Sequence, residues 1–218
     1  METYMKIRIA ALLALVVVLA GCATGAAQSY DNKDGVFRAA TQASGVALKH
    51  TQSVGVVFSE NTVTNLAYLK RYHAVAQNSQ QLDEEIQRAF VSSSDPALAI
   101  DWLTTSLQAQ FASVNFYDNL DALMAARPDV IVLLDTSNVL VTPRSPDVQA
   151  SIVAEFFDAQ LNYIGKAEGH AGKDLSPVWA LRKSAPEVAA EINGQRVVQV
   201  DALEQFDASL YTLLNAKS

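Results

Sequence analysis

Residues 129–135 read Asp-Val-Ile-Val-Leu-Leu-Asp, and residues 154–169 read Ala-Glu-Phe-Phe-Asp-Ala-Gln-Leu-Asn-Tyr-Ile-Gly-Lys-Ala-Glu-Gly. The first is a run of five apolar residues that continues through Val139-Leu-Val141, which predicts a buried strand. The second splits into Ser151–Phe157 and Leu161–Gly169, two more strands joined at Asp158-Ala159-Gln160 by a hairpin turn. Three strands in succession set the fold class: an α/β (α+β) single domain, with a small mixed β-sheet and helices packed on one face.

The sequence on either side fits that frame. Asp118 caps a short helix through Ala126 that Arg127-Pro128 ends, and Ala112–Tyr117 before it reads as a short strand. Asp95-Pro96 supplies an N-cap and a proline at the first helical position. Ile100, Leu103, Leu107 and Phe111 then recur at helical steps. Ser53–Phe58 is a further buried strand. In residues 60–92 the pattern Val63, Leu66, Leu69 and the pattern Leu82, Ile86, Phe90 fit two helices or one interrupted helix, a helical insertion before the next strand. Pro143 to Pro146 makes a loop, and Val200–Leu214 places Leu203, Phe206, Leu210 and Leu213 on one stripe of a final helix.

The N-terminus reads as an address. Lys6 and Arg8 precede an apolar run from Ile9 to Ala20, 12 residues long, short of the roughly 20 that span a bilayer. It is a signal peptide rather than an anchor helix. Leu19-Ala20-Gly21-Cys22 resembles the lipobox of bacterial lipoproteins, in which the peptidase reads the small residues and the cysteine thiol takes the lipid. That implies a signal peptide over 1–21, a covalent diacylglycerol and palmitate-type acyl anchor on Cys22 with no cofactor, a flexible tether over 22–35 and a periplasmic domain over 36–218. Ala23, where inner-membrane retention uses Asp, implies the outer membrane, on its periplasmic face. With one cysteine in the chain, neither a disulfide nor a cysteine-ligated metal is expected.

The element order resembles a superfamily of bacterial envelope domains that includes the N-terminal domain of TolB, the curli-secretion lipoprotein CsgG and the penicillin-binding-protein activator LpoB. The resemblance rests on Pro128–Leu134 and the hairpin Ala154–Gly169, where a strand with an apolar doublet and an Asp turns into one ending in small residues and glycine. It implies a binding or assembly module whose terminal helix packs back on the sheet. It transfers no catalytic residues.

Composition excludes several classes. The 218 residues carry 16 Lys+Arg against 23 Asp+Glu, a formal charge of −7, which argues against a nucleic-acid partner. Half of the residues are hydrophobic and 18% are charged, so the chain is neither disordered nor a stapled scaffold. Gly169-His-Ala-Gly-Lys173 fails as a phosphate loop, with Ala167 in place of the first glycine and Asp174 in place of Ser or Thr. Its glycines read as the end of a strand entering a loop.

The histidines His50, His73 and His170 form no metal-ligand spacing, so neither a metal nor a catalytic set is expected. Chain order alone permits a Ser151–His170 pair. Asp83, Glu84 and Glu85 suit a helix start, and Asp135 reads as solvent-facing near its strand end. Tyr68 and Tyr72, beside Lys70 and Arg71, and Trp179, beside Pro177, are the candidate partner-docking residues. The resulting expectation is a non-enzymatic outer-membrane lipoprotein that binds a periplasmic or outer-membrane protein, or further copies of itself. Two alternatives are an oligomeric subunit of a secretion, flagellar or surface-fibre apparatus, and an envelope hydrolase using His170 and nearby carboxylates.

Overall fold

Five apolar residues in a row suit a strand covered on both faces, and in the computed structural model Val130–Leu134 lies in the central strand of a five-stranded sheet. The structure describes residues 35–37, 42–79, 81–142, 145–175 and 183–216. The chain runs β1 (Ser53–Phe58), α1 (Glu60–Gln77), α2 (Glu84–Ser93), α3 (Leu98–Gln110), β2 (Ser113–Phe116), α4 (Leu120–Ala126), β3 (Val130–Val139), β4 (Asp147–Asp158), β5 (Tyr163–Asp174) and α5 (Ala185–Asn215). Strand order is β2-β1-β3-β4-β5. β1 is parallel to both neighbours, and β3, β4 and β5 form an antiparallel meander. The fold is the expected α/β domain with a mixed sheet.

The alternation of each strand separates two cores. Val56, Val132, Leu134, Ala154 and Phe156 face α1, α2, α3 and α5, meeting Phe90, Leu103, Leu107, Leu203, Phe206 and Leu210. Fully burying a side chain such as Phe156 or Phe206 contributes about 2–3 kcal/mol. The other face is smaller: Val57, Ile131, Leu133 and Phe157 pack with Leu123 of α4 and with Phe37. Helices on one face is therefore corrected for α4, which covers the opposite side. Gly55 admits it, since a Cβ there would lie 2.8 Å from Pro128 Cγ and 3.2 Å from Leu123 Cδ1.

Several boundaries move for local reasons. Residues 60–92 resolve into α1 and α2, α2 beginning at Asp83 as N-cap with Glu84 and Glu85 in its first turn. The Asp95 carboxylate accepts from the Ala97 N–H, so it closes a turn and α3 starts only at Leu98. Asn119, not Asp118, caps α4 by accepting from Ala122, and Arg127 ends the helix at φ 52°. β4 and β5 outrun the expected hairpin. Gly169 and Gly172 lie inside β5 rather than at its end; Gly165, Ala167, Gly169 and Ala171 form the stripe onto which α5 packs. α5 has 31 residues and begins at a capping box, Ser184 with Glu187.

Where the sheet runs out of strands, helix side chains take over the ladder. β1 pairs with β3 only as far as Leu134. Beyond that, Thr62 Oγ1 donates to the Leu134 carbonyl (2.8 Å) and accepts from Thr136 N–H (2.7 Å), while Asn65 Oδ1 accepts from Asn138 N–H (2.9 Å). Gln195 Oε1 accepts from Val141 N–H at 2.7 Å. On the β5 edge, Ser209 Oγ and Gln205 Oε1 of α5 accept from the N–H groups of Glu168 and His170. Buried or edge backbone groups need such partners.

Candidate functional site

The face of β3, β4 and β5 away from the large core is apolar at one end and polar at the other. Register sets the polar rows: Leu133–Glu155–Lys166, Asp135–Val153–Glu168, Ser137–Ser151–His170 and Val139–Gln149–Gly172, with Asp147 opposite Asp174. Phe37 and α4 cover the apolar end. Lys166, Glu168 and His170 remain open, the His170 side chain 55% exposed, and His170 lines a shallow surface depression with Ser137, Val139, Ser151 and Lys173 among others.

Ser151 and His170 do meet. The Ser151 hydroxyl lies 2.8 Å from His170 Nδ1, and His170 Nε2 lies 3.6 Å from Glu168 Oε2. Glu168 also accepts from Lys166 Nζ at 2.6 Å. That bond, with His170 beyond it, holds the Glu168 carboxyl below its usual range and raises the Lys166 ammonium. Across the strand ends, the Asp147 carboxyl raises that of Asp174. The order serine, histidine, carboxylate has hydrolase chemistry in outline. However, Ser151 sits in β4 between two ladders, so its neighbouring N–H groups are engaged and none is aimed at a developing oxyanion. Ser151 and His170 present hydrogen-bonding groups at the surface.

The other predicted residues separate. Tyr72 Oη donates to the Val141 carbonyl at 3.1 Å, and its ring packs 5.8 Å from Phe90. Burial pushes its hydroxyl, and less strongly that of Tyr68, above the usual tyrosine range. Tyr68 lies with its ring 6.2 Å from that of Tyr72, half-buried beside it. Asp135, expected to face solvent, is held by Ser59 Oγ (2.7 Å) and Asn61 Nδ2 (2.9 Å) at the start of α1. His50 Nδ1 meets the Gln110 carbonyl at 2.7 Å and His73 meets Gln77 at 2.8 Å, so the histidines do not converge. Leu19, Ala20, Gly21, Cys22 and Trp179 lie outside the described residues.

Glu168, Lys166 and Ser137 were not singled out in the sequence. The signal was there: Lys166-x-Glu168-x-His170 has the period of a strand, legible once β5 is extended past Gly169. Among the described residues no group of three His, Cys, Asp or Glu could hold a metal ion, and no helix is long and apolar enough to cross a membrane.

No family model matches the chain, and no curated protein does. Solved structures with a similar chain path include two PelC dodecamers from Paraburkholderia phytofirmans. One is 13% identical over 72% of this chain and 96% of that chain, with a TM-score of 0.34; the other is 10% identical over the same shares, with a TM-score of 0.31. The hypothetical protein CT253 from Chlamydia trachomatis is 12% identical over 77% of this chain and 99% of its own, with a TM-score of 0.35. Likeness at that level decides neither ancestry nor function.

Proposed function

We propose that this chain is a lipoprotein held by acylated Cys22 in the periplasmic leaflet of the outer membrane, and that its α/β domain binds or assembles with other envelope proteins without catalysis. The observation that carries the reading is the ordered run of basic residues, a 12-residue apolar stretch and Leu19-Ala20-Gly21-Cys22. Several acyl chains on one cysteine, at about 0.8 kcal/mol per buried CH2, anchor firmly.

The domain's geometry supports the binding half. A terminal helix packs back on a long hairpin, and helix side chains accept from edge N–H groups of Glu168 and His170. The polar rows of β3, β4 and β5 lie open beside them. Ser151 and His170, with no oxyanion donor aimed at them among the described residues, serve there as surface hydrogen-bonding groups.

In-cell crosslinking of the native protein, followed by mass spectrometry, tests the reading. Adducts with a periplasmic or outer-membrane protein are expected. Self-adducts alone would replace it with a homo-oligomer, and turnover of an ester, glycan or peptide that one substitution abolishes would overturn it.

A further inference from the structure

A groove of about 720 Å³ runs between α3 and α5, on the opposite side of the molecule's sheet from the polar rows. Leu98, Trp102, Leu210 and Tyr211 supply its apolar and aromatic lining, and Asp95, Asp101 and Asp207 its charge; among the described residues no Lys, Arg or His lines it. Asp95 and Asp101 sit at the start of α3, where the helix dipole favours carboxylates. Asp207 has no such explanation. It lies in the second half of α5, where residues 197–215 hold Asp201, Glu204 and Asp207 and no basic residue. One of its oxygens accepts the Trp102 indole N–H at 2.9 Å. The other is buried with no hydrogen-bond partner among the described residues. A buried carboxylate oxygen left in this way costs free energy that a donor would restore.

The lining on α3 runs from Leu98 to Gln110, about 18 Å at 1.5 Å per residue. That length suits an elongated segment rather than a compact ion. Tyr211 is 66% exposed at the rim, an aromatic face of the kind that basic side chains seek. We propose that this groove docks an amphipathic segment of a partner protein, its apolar residues on Leu98, Trp102 and Leu210 and a Lys or Arg paired with Asp207. The assignment stands on charge complementarity and does not depend on the lipid anchor.

The test uses the purified full-length chain in non-ionic detergent, carrying Trp179→Phe so that Trp102 is the remaining indole. Two synthetic amphipathic helices are titrated, alike in their leucine stripe but flanked by lysine in one and glutamate in the other. The lysine probe should shift Trp102 fluorescence and bind at least tenfold tighter than the glutamate probe. Asp207→Asn retains a carbonyl oxygen for the Trp102 N–H and should weaken the lysine probe about tenfold, ~1.4 kcal/mol. Ala109→Lys, at an exposed position, should weaken it as well, and it decides the matter if Asp207→Asn does not fold by circular dichroism. Equal affinity for the two probes, or an unchanged affinity in the folded variants, would overturn the proposal. So would binding of spermidine without binding of the lysine probe, which would make the groove a small-polyamine site.

Discussion

A Cβ atom at Gly169 would lie 1.9 Å from the carbonyl oxygen of Ala202 and 2.6 Å from the backbone nitrogen of Phe206. β5 and α5 therefore touch backbone to backbone, and the terminal helix is seated by an absent side chain. Gly169→Ala must push α5 off the sheet, with loss of Phe206 and Leu203 packing. We expect a destabilisation of about 3 kcal/mol or more. Gly172→Ala, whose nearest neighbour would be 3.5 Å away, should change stability by less than about 0.5 kcal/mol. Urea unfolding of the two variants side by side checks the contrast, and equal midpoints would refute it.

Asp158 ties the hairpin turn to the segment before β1. Burial pushes its carboxyl up, but hydrogen bonds from Ser44, Asn162 and Gln160 outweigh that and leave it below the usual carboxylate range. A carboxyl lowered in the folded state stabilises fully above its unfolded pKa and loses that contribution as pH falls through the lowered value. Stability should thus decline on acidification below about pH 4. Asp158→Asn should be about 1–3 kcal/mol less stable at pH 7 and should lose less than the parent over the acid range. Parallel pH profiles for the two proteins would contradict this.

Much of this architecture is readable in advance. β1 and β3 are near-continuous apolar runs, and burial on both faces leaves such strands no other pattern. The far ends of β4 and β5, before Ser151 and after Gly169, are harder to see, because the inward positions there, Ala150 and Ala171, are small and carry little apolar signal against outward Gln149 and His170. The first half of α5 hides for a related reason. Gln195 and Gln199 occupy core positions there, and a hydrophobic stripe interrupted by glutamine and by Gly194 does not register as one. Their job is to satisfy backbone groups from elsewhere, a tertiary demand that no local window contains. The Ser151–His170–Glu168 cluster was half visible: Ser151 and His170 lie 19 residues apart in sequence, and only the register of the hairpin makes them neighbours.

Gln195 is fully buried, accepting from Val141 N–H at 2.7 Å and donating to Ser93 Oγ at 3.2 Å. Gln195→Leu preserves volume but orphans the Val141 donor, with an expected cost of about 1–3 kcal/mol. Thermal unfolding measures it. A neutral substitution would mean that water reaches Val141.

An acyl-enzyme serine reacts with fluorophosphonate probes. Ser151, with no oxyanion donor aimed at it among the described residues, should remain unlabelled under conditions that saturate a serine hydrolase control. Peptide mass spectrometry locating the phosphonate on Ser151, lost in His170→Ala, would move the protein into the enzyme class.

The most direct measurement is the intact mass of the protein extracted from the cell membranes of its host. A chain that begins at Cys22 and carries a diacylglyceryl group is the predicted result, with Cys22→Ala leaving the membrane fraction. A mature chain with a free Cys22 thiol, or one cut elsewhere and recovered without lipid, would contradict the anchor and the envelope role built upon it.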